Sequence, residues 1–403
     1  MRGECAIGVN PPQGAPACKL KILSFPAPAT FLSVRDRYNP MLKALNLWLP
    51  DYLRKRKRPW DPSQETHLVI CVCDHFEPFH GATREEALTR VLRWEREFPV
   101  LSSSCRDSGD QPLRHTFFYP IEQYDEEVVS HLAGLCEATR CETEIHHHHE
   151  GDTAENLAAT LARGKSEMGR HGLLSSDPSG AIRFAFIHGN WALDNSHPAG
   201  KFCGVRNELR VLQEAGCYAD FTMPSAPEPS QTATVNSIYY AKPSDHPKSH
   251  DHGRPARVGV QPSGDEFLLV QGPLGLNWQW RKWGVLPRIE NADLTPRNPP
   301  TMLRLKLWTQ LNVHVEGRPE WVFAKLHAHG GIPHNMDMLL GNQMHAFHRS
   351  LPEFAAAHSH FRFHYVTARE LVNIVHAAEA GKGGNPGDYR DYLYTSRLRT
   401  AAS

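Results

Sequence analysis

Four consecutive histidines, His146 to His149 in the stretch ETEIHHHHEGDTAEN, stand in the middle of a 403-residue chain. Further imidazoles and carboxylates recur in short groups: Asp74, His75 and Glu77 in CDHFEP, His188 with Asn190 in FIHGNW, and His327 with His329 in KLHAHG. The chain holds 25 histidines, and their crowding beside acids and one another is the pattern of metal ligands and proton-transfer groups. Imidazole nitrogen combined with a carboxylate such as Asp74 suits Zn²⁺ first and neighbouring divalent ions next. An open coordination position would bring the pKa of a bound water from about 15.7 towards roughly 7, giving a hydrolytic nucleophile at neutral pH. Residues two apart in a strand point the same way, so His146 shares a side with His148, and His327 with His329. A run of four is expected to hold one or two ligands, with the other rings exposed or supporting them from behind. Asp152 fits two roles equally, metal ligand or N-cap of a helix opened by DTAE with Glu155 at its third position. HPKSHDH, at 246–252, reads as surface polar chain.

Groups so far apart in the chain can meet only if the elements carrying them converge. Apolar strand patterns occur at 66–74, 113–120, 141–147, 181–189, 217–224, 319–330 and 361–366, separated by helical patterns at 83–98, 121–138, 153–170, 204–216, 334–351 and 367–381. Thr83 with Glu86 and Thr367 with Glu370 read as capping boxes, Leu88, Val91 and Leu92 as one helix face, and Gly381 as a helix stop. Near-continuously apolar strands alternating with helices imply an α/β fold, here an irregular barrel of about seven parallel strands. The polar clusters fall at the carboxyl ends of these strands, and in a parallel barrel those ends open on one face. Between 224 and 319 the rhythm gives way to a loop-rich insertion, with a hairpin expected in RVGVQPSGDEFLLV and a position over the site. Its LNWQWRKW stretch, with Trp278, Trp280 and Trp283, offers flat faces for a sugar ring, although packing is the ordinary use of each.

Charge narrows the partners. Lysine plus arginine and aspartate plus glutamate both number 44, so no overall field would draw the chain to nucleic acid. Nine cysteines without paired spacing point to a reduced, cytoplasmic protein rather than a disulfide framework, and Cys71 and Cys73 to buried strand thiols. No apolar run approaches the roughly 20 residues of a membrane span, and the start lacks a secretory-signal pattern. Residues 1–60 read as a loose extension with a basic segment, 66–380 as the barrel, and 381–403 as a tail. The basic run after Trp48 and Tyr52 reads as a solvated linker, with weak membrane-surface contact through residues 41–58, at the inner membrane face, as the minor alternative.

The motif order resembles that of the NodB-like polysaccharide deacetylases, carbohydrate esterase family 4, over about residues 66 to 380 outside the insertion. Their first motif carries two aspartates, a base and a ligand; VCDHFEPF has only Asp74, so His75, Glu77 or another group must fill one role. Their second motif is matched by Glu144, Ile145 and His148, with Asp152 in the place of a second histidine and His146 able to supply the missing nitrogen. FIHGNW, with His188, Asn190 and Trp191, is similar in placement to the substrate-facing motif, and KLHAHGG places His327 where the family has its acid histidine. DHFEP, HGNWALDNS and KLHAHG are most similar to the WalW-type branch associated with lipopolysaccharide biosynthesis.

The resemblance implies a metal-dependent deacetylase acting on an N- or O-acylated sugar of a bacterial surface glycan or its precursor. It implies metal ligands among Asp74, His146, His148 and Asp152, and Asp74 or Glu77 as base. His327 would be the acid, oriented by His329, and His188, Asn190 and Trp191 would contact the carbohydrate. Two alternatives stand beside it: a degenerate relative that binds glycan without turnover, and a different metal-dependent amidohydrolase, against which the order of Asp74 before the histidines argues.

Overall fold

The strand β1 (Thr66–His75) is buried along all ten residues, as expected of a chain segment with neighbours on both faces and both edges. The computed structural model describes residues 44–398 except 56 and 60, so most of the proline-rich extension lies outside the described residues. Its remaining principal strands are β2 (Thr116–Pro120), β3 (Glu142–His147), β4 (Ile182–His188), β5 (Cys217–Asp220), β6 (Ile238–Ala241), β7 (Phe267–Val270), β8 (Trp321–Ala328) and β9 (Phe361–Val366). They belong to one 12-stranded sheet whose main order is β8-β1-β2-β3-β4-β5-β7-β6, with β9 also paired to β1. The ladders from β8 through to β7 are parallel, and β6 joins β7 antiparallel. This is an α/β fold with a mostly parallel sheet.

Alternation along β1 divides the core in two. Leu68, Ile70 and Val72 face the cluster that includes Val91, Trp94 and Phe98 of α2 (Arg84–Ser104). Val69, Cys71 and Cys73 face the other, which takes in Leu371, Ile374 and Val375 of the last long helix, Ala368–Glu379. That helix opens with the expected Thr367–Glu370 capping box, and Gly381 lies just past its end at φ 76°. The box at Thr83–Glu86 is present as well. The packed face of α2 is Ala87, Val91, Trp94, Phe98 and Leu101, whereas Leu92 is exposed; a 3.6-residue period puts position 92 about 100° from 91 and off that stripe.

Several segments differ from the sequence reading. The helix expected over 121–138 is a 3₁₀ turn, Ile121–Gln123, followed by α3 (Glu126–Thr139), because Asp125 caps a new start by accepting the Val128 N–H. The helix expected over 334–351 is two, Pro333–Leu339 and Asn342–Ala357, parted at Gly341. The insertion is not all loop: β6 and β7 come from it and join the main sheet, and its hairpin pairs Gly275–Lys282 with Leu286–Glu290 instead of lying within 257–270. Trp278 and Trp283 of that hairpin are exposed, and Arg288 covers Trp280.

Residues 45–54, placed by sequence in a loose extension, form α1 (Leu45–Arg54), and Trp48 and Tyr52 bury themselves against Val235, Leu274 and Leu311. Burying large apolar side chains contributes on the order of 2 kcal/mol each, which explains why this stretch packs rather than trailing in solvent. Part of the expected tail packs too: Thr395–Ser396 pairs with Ser175–Ser176. No helix among the described residues is long and apolar enough to cross a membrane. The seven described cysteines, Cys71 and Cys73 among them, are free and buried.

Candidate metal centre

Register brings the polar strand ends to one rim. His327 of β8 lies opposite Cys73, Asp74 opposite Phe117, Pro120 opposite His146, and His147 opposite His188. Five neighbouring parallel strands therefore deliver Asp74, His75, Glu77, Glu122, the histidine run, His188, His327 and His329 to the same end of the sheet.

Glu77, His146 and His148 form the first ligand group, their donor atoms all within 4.8 Å of one another. Both Nε2 atoms face the same oxygen, Glu77 Oε1, at 3.2 Å for His146 and 2.8 Å for His148. His146 Nδ1 lies 3.0 Å from the Ile187 carbonyl, which can only accept, so the ring's proton sits on Nδ1 and its Nε2 presents a lone pair. Burial holds His146 below the usual imidazole pKa; as a neutral ring it sets that lone pair against a carboxylate oxygen. Two facing acceptors repel, and a cation between them turns the repulsion into two bonds. Ligand bonds of about 2.0–2.2 Å at tetrahedral angles put ligand atoms roughly 3.3 Å apart, close to the separations found.

A second carboxylate stands behind the first. Glu122 Oε1 is 2.7 Å from His148 Nδ1 and Oε2 is 2.9 Å from His147 Nδ1. Burial would push the His148 pKa down, but its bonds to Glu122 and Glu77 raise it to about 10. Burial likewise works to raise the Glu77 carboxyl, and the bond from the His148 imidazole works against it, so that the group lies well below the carboxylate range. A carboxylate that fixes the far nitrogen of a ligand imidazole is the usual support of a histidine metal site.

Backbone approaches this group too closely for side chains. A Cβ on Gly189 would stand 2.2 Å from the His148 ring, and one on Gly331 would stand 2.4 Å from the Glu77 backbone. Both glycines clear the space in which the ligands sit.

Beside the ligands lies a nest of imidazole and indole. The His75 ring is 4.8 Å from that of His146 and 4.7 Å from those of His329 and Trp191, and Trp191 is 5.1 Å from His327. Neither nitrogen of buried His75, nor Nδ1 of His327, has a hydrogen-bond partner. Burial holds both rings well below the usual imidazole pKa, so both are neutral. Trp191 takes φ 61°, a left-handed conformation that costs a bulky residue about 1–3 kcal/mol and accumulates at functional sites.

The ligand set expected from sequence, Asp74, His146, His148 and Asp152, is not assembled. Asp74 is fully buried and held by the Gly330 N–H at 2.5 Å and by His115 Nε2 at 2.9 Å; among the described residues it belongs to no ligand group. Asp152 meets His149 at 3.0 Å, on the opposite side of the run from His146 and His148. The N-cap of the following helix, α4 (Ala154–Arg170), is Thr153, which accepts the Asn156 N–H. His188 is buried beside His149 and takes the Asn190 backbone N–H on Nδ1. The stretch at 246–252 is not all surface: His250 is fully buried, its carbonyl accepting from the Tyr239 hydroxyl.

Sequence reasoning passed over Glu122, His115 and Glu208 altogether. Glu122 follows β2 as directly as His188 ends β4, and the strand-end rule would have found it had 121–138 not been read as one helix. A scan against protein-family models and a search of curated proteins each find no match to this chain.

Proposed function

We propose that the protein is a metal-dependent hydrolase that removes a small acyl group from an acylated amino sugar, on a NodB-like barrel. The observation that carries the reading is the His146 Nε2 lone pair fixed against Glu77 Oε1, with His148 converging on the same oxygen. Two histidines and one glutamate are a set used by catalytic zinc sites that keep a position open. A divalent cation held there supplies a Lewis acid and lowers the pKa of a water.

The chain's own groups do the rest. Glu122 and the Ile187 carbonyl fix the ligand rings. His75, whose unpaired ring lies 4.8 Å from that of His146, takes the proton of water as its oxygen bonds to the acyl carbon. It returns that proton to the nitrogen as the carbon–nitrogen bond breaks, so amide and water give carboxylic acid and amine. One neutral ring that accepts and then donates balances this step. A separate acid would have to be an imidazolium before the reaction begins, which burial disfavours in His327. His327 and Trp191 line the same nest, and Trp191 offers a flat face to a sugar.

Acetate release from a panel of N-acetylated amino sugars and their oligomers, by zinc-loaded protein, tests the reading. His75→Asn is expected to lower kcat by about 10²–10⁴-fold with bound zinc unchanged. No acetate from any substrate, or full activity in His75→Asn, overturns it.

A further inference from the structure

The histidine run uses both of its sides. His146 and His148 turn to Glu77; His147 and His149 turn the other way, their rings stacked at 4.9 Å with 20° between planes. His147, His149 and Asp152 each offer a ligand atom within 4.8 Å of the others.

Hydrogen bonds leave one of these atoms free and pair the other two. His147 Nδ1 donates to Glu122 Oε2 at 2.9 Å, leaving a lone pair on Nε2, which is buried and without a partner in a residue only 4% exposed. An unmet buried acceptor of this kind is costly, and a ligand at that atom would relieve the cost. His149 Nε2 lies 3.1 Å from Glu208 Oε1 and its Nδ1 lies 3.0 Å from Asp152 Oδ2. Each His149 nitrogen therefore faces a carboxylate, and a cation between Nδ1 and Asp152 Oδ2 would take the place of the proton they share. The other Asp152 oxygen is occupied by the Thr153 N–H at 2.8 Å and Asn156 Nδ2 at 2.7 Å, so Oδ2 is the one turned to the histidines.

We propose that His147 Nε2, His149 Nδ1 and Asp152 Oδ2 bind a second divalent cation, with Zn²⁺ the best match to two imidazoles and a carboxylate. Glu122 and Glu208 hold the far nitrogens of its two rings, the support a histidine site requires. Glu122 then backs one ring in each set, and a single carboxylate links the two sites. The assignment does not depend on any hydrolytic activity. A competing group, His149, His188, Cys203 and Glu208, also lies within 4.8 Å but fits less well. Asn190 donates to His188 Nδ1 at 3.2 Å, which places the ring's proton on the Nε2 that would have to ligate. A Cys203 thiolate would face the Glu208 carboxylate to which its thiol now points.

Zinc content by mass spectrometry, after dialysis of the full chain prepared without nickel resin, tests the proposal. Wild type is expected to hold two equivalents, Asp152→Asn one, and Glu77→Gln one, the other. His147→Gln, expected to hold one, repeats the test without touching the start of α4. The proposal is overturned if wild type holds one equivalent, or if Asp152→Asn and His147→Gln both keep two. In that last case a loss of one equivalent in Glu77→Gln alone leaves the first site standing and removes the second.

Discussion

Two like substitutions three residues apart, Glu77→Gln and Asp74→Asn, are expected to have opposite consequences. Each replaces a buried carboxylate by its amide. Glu77 Oε1 stands against two imidazole nitrogens at 2.8 and 3.2 Å. An amide nitrogen in that place can donate to the His146 Nε2 lone pair, so the substitution relieves the facing acceptors while removing the anionic ligand. Loss of a group that merely supports a ligand weakens metal binding by about 10–100-fold, and loss of the ligand itself should exceed about 100-fold. At free zinc about 100 times the wild-type Kd, the site stabilises the fold by about 2.7 kcal/mol, and with Kd raised 100-fold by only about 0.4 kcal/mol. Asp74 instead accepts from Gly330 and His115. Its amide gives up one charge-assisted bond, costing about 1.5–3 kcal/mol of stability, with zinc binding intact. Zinc content and denaturant unfolding with and without zinc separate the two. Glu77→Gln should hold one equivalent fewer than wild type and gain less stability from added zinc, whereas Asp74→Asn should lose metal-free stability and no zinc. Asp74→Asn losing an equivalent of zinc while Glu77→Gln holds as much as wild type would refute the reasoning.

Gly189→Ala should displace the His148 ring, which an added Cβ would approach to 2.2 Å; overpacking costs about 1–3 kcal/mol, and a drop of at least about tenfold in zinc affinity should appear in competition with a chromophoric chelator. Acid should destabilise the fold through His348 and His364, whose pKa values burial pushes down to about 3. The unfolded chain, titrating near 6.5, binds more protons than the native state between those values, so stability is full above about pH 6.5 and declines as pH falls. The slope is at most about 1.4 kcal/mol per pH unit for each ring. His348→Gln should flatten the decline in urea unfolding between pH 7.5 and 5.5, and an unchanged slope would remove His348 from the account.

What the sequence made legible was the parallel sheet and the rim, because apolar runs such as Leu68–Cys73 and the polar residues that end them are local signals. The pairing of His146 with His148 followed from two-residue alternation, and held in the structure. The carboxylate partners did not follow, because strand period does not say which acid arrives from another loop. Asp74, next to His75, points to the other side of β1 and is held by His115 and Gly330, whereas Glu77, beyond the strand, turns back to the ligands. The same limit hid β6: proline-rich flanks around 224 and 243 suggest a loop, and only long-range pairing with Phe267–Val270, which the sequence places in a hairpin, reveals a strand. Trp48 and Tyr52 lie in a short apolar stretch ahead of a basic run, with no local sign of the cluster they join with Val235, Leu274 and Leu311.

Crystals of the zinc-loaded protein, measured on both sides of the zinc absorption edge, test the central claim most directly. The account predicts an anomalous peak about 2.0–2.2 Å from Glu77 Oε1, His146 Nε2 and His148 Nε2. A rim without a peak at that point, or with zinc bound by Asp74 instead, would contradict it.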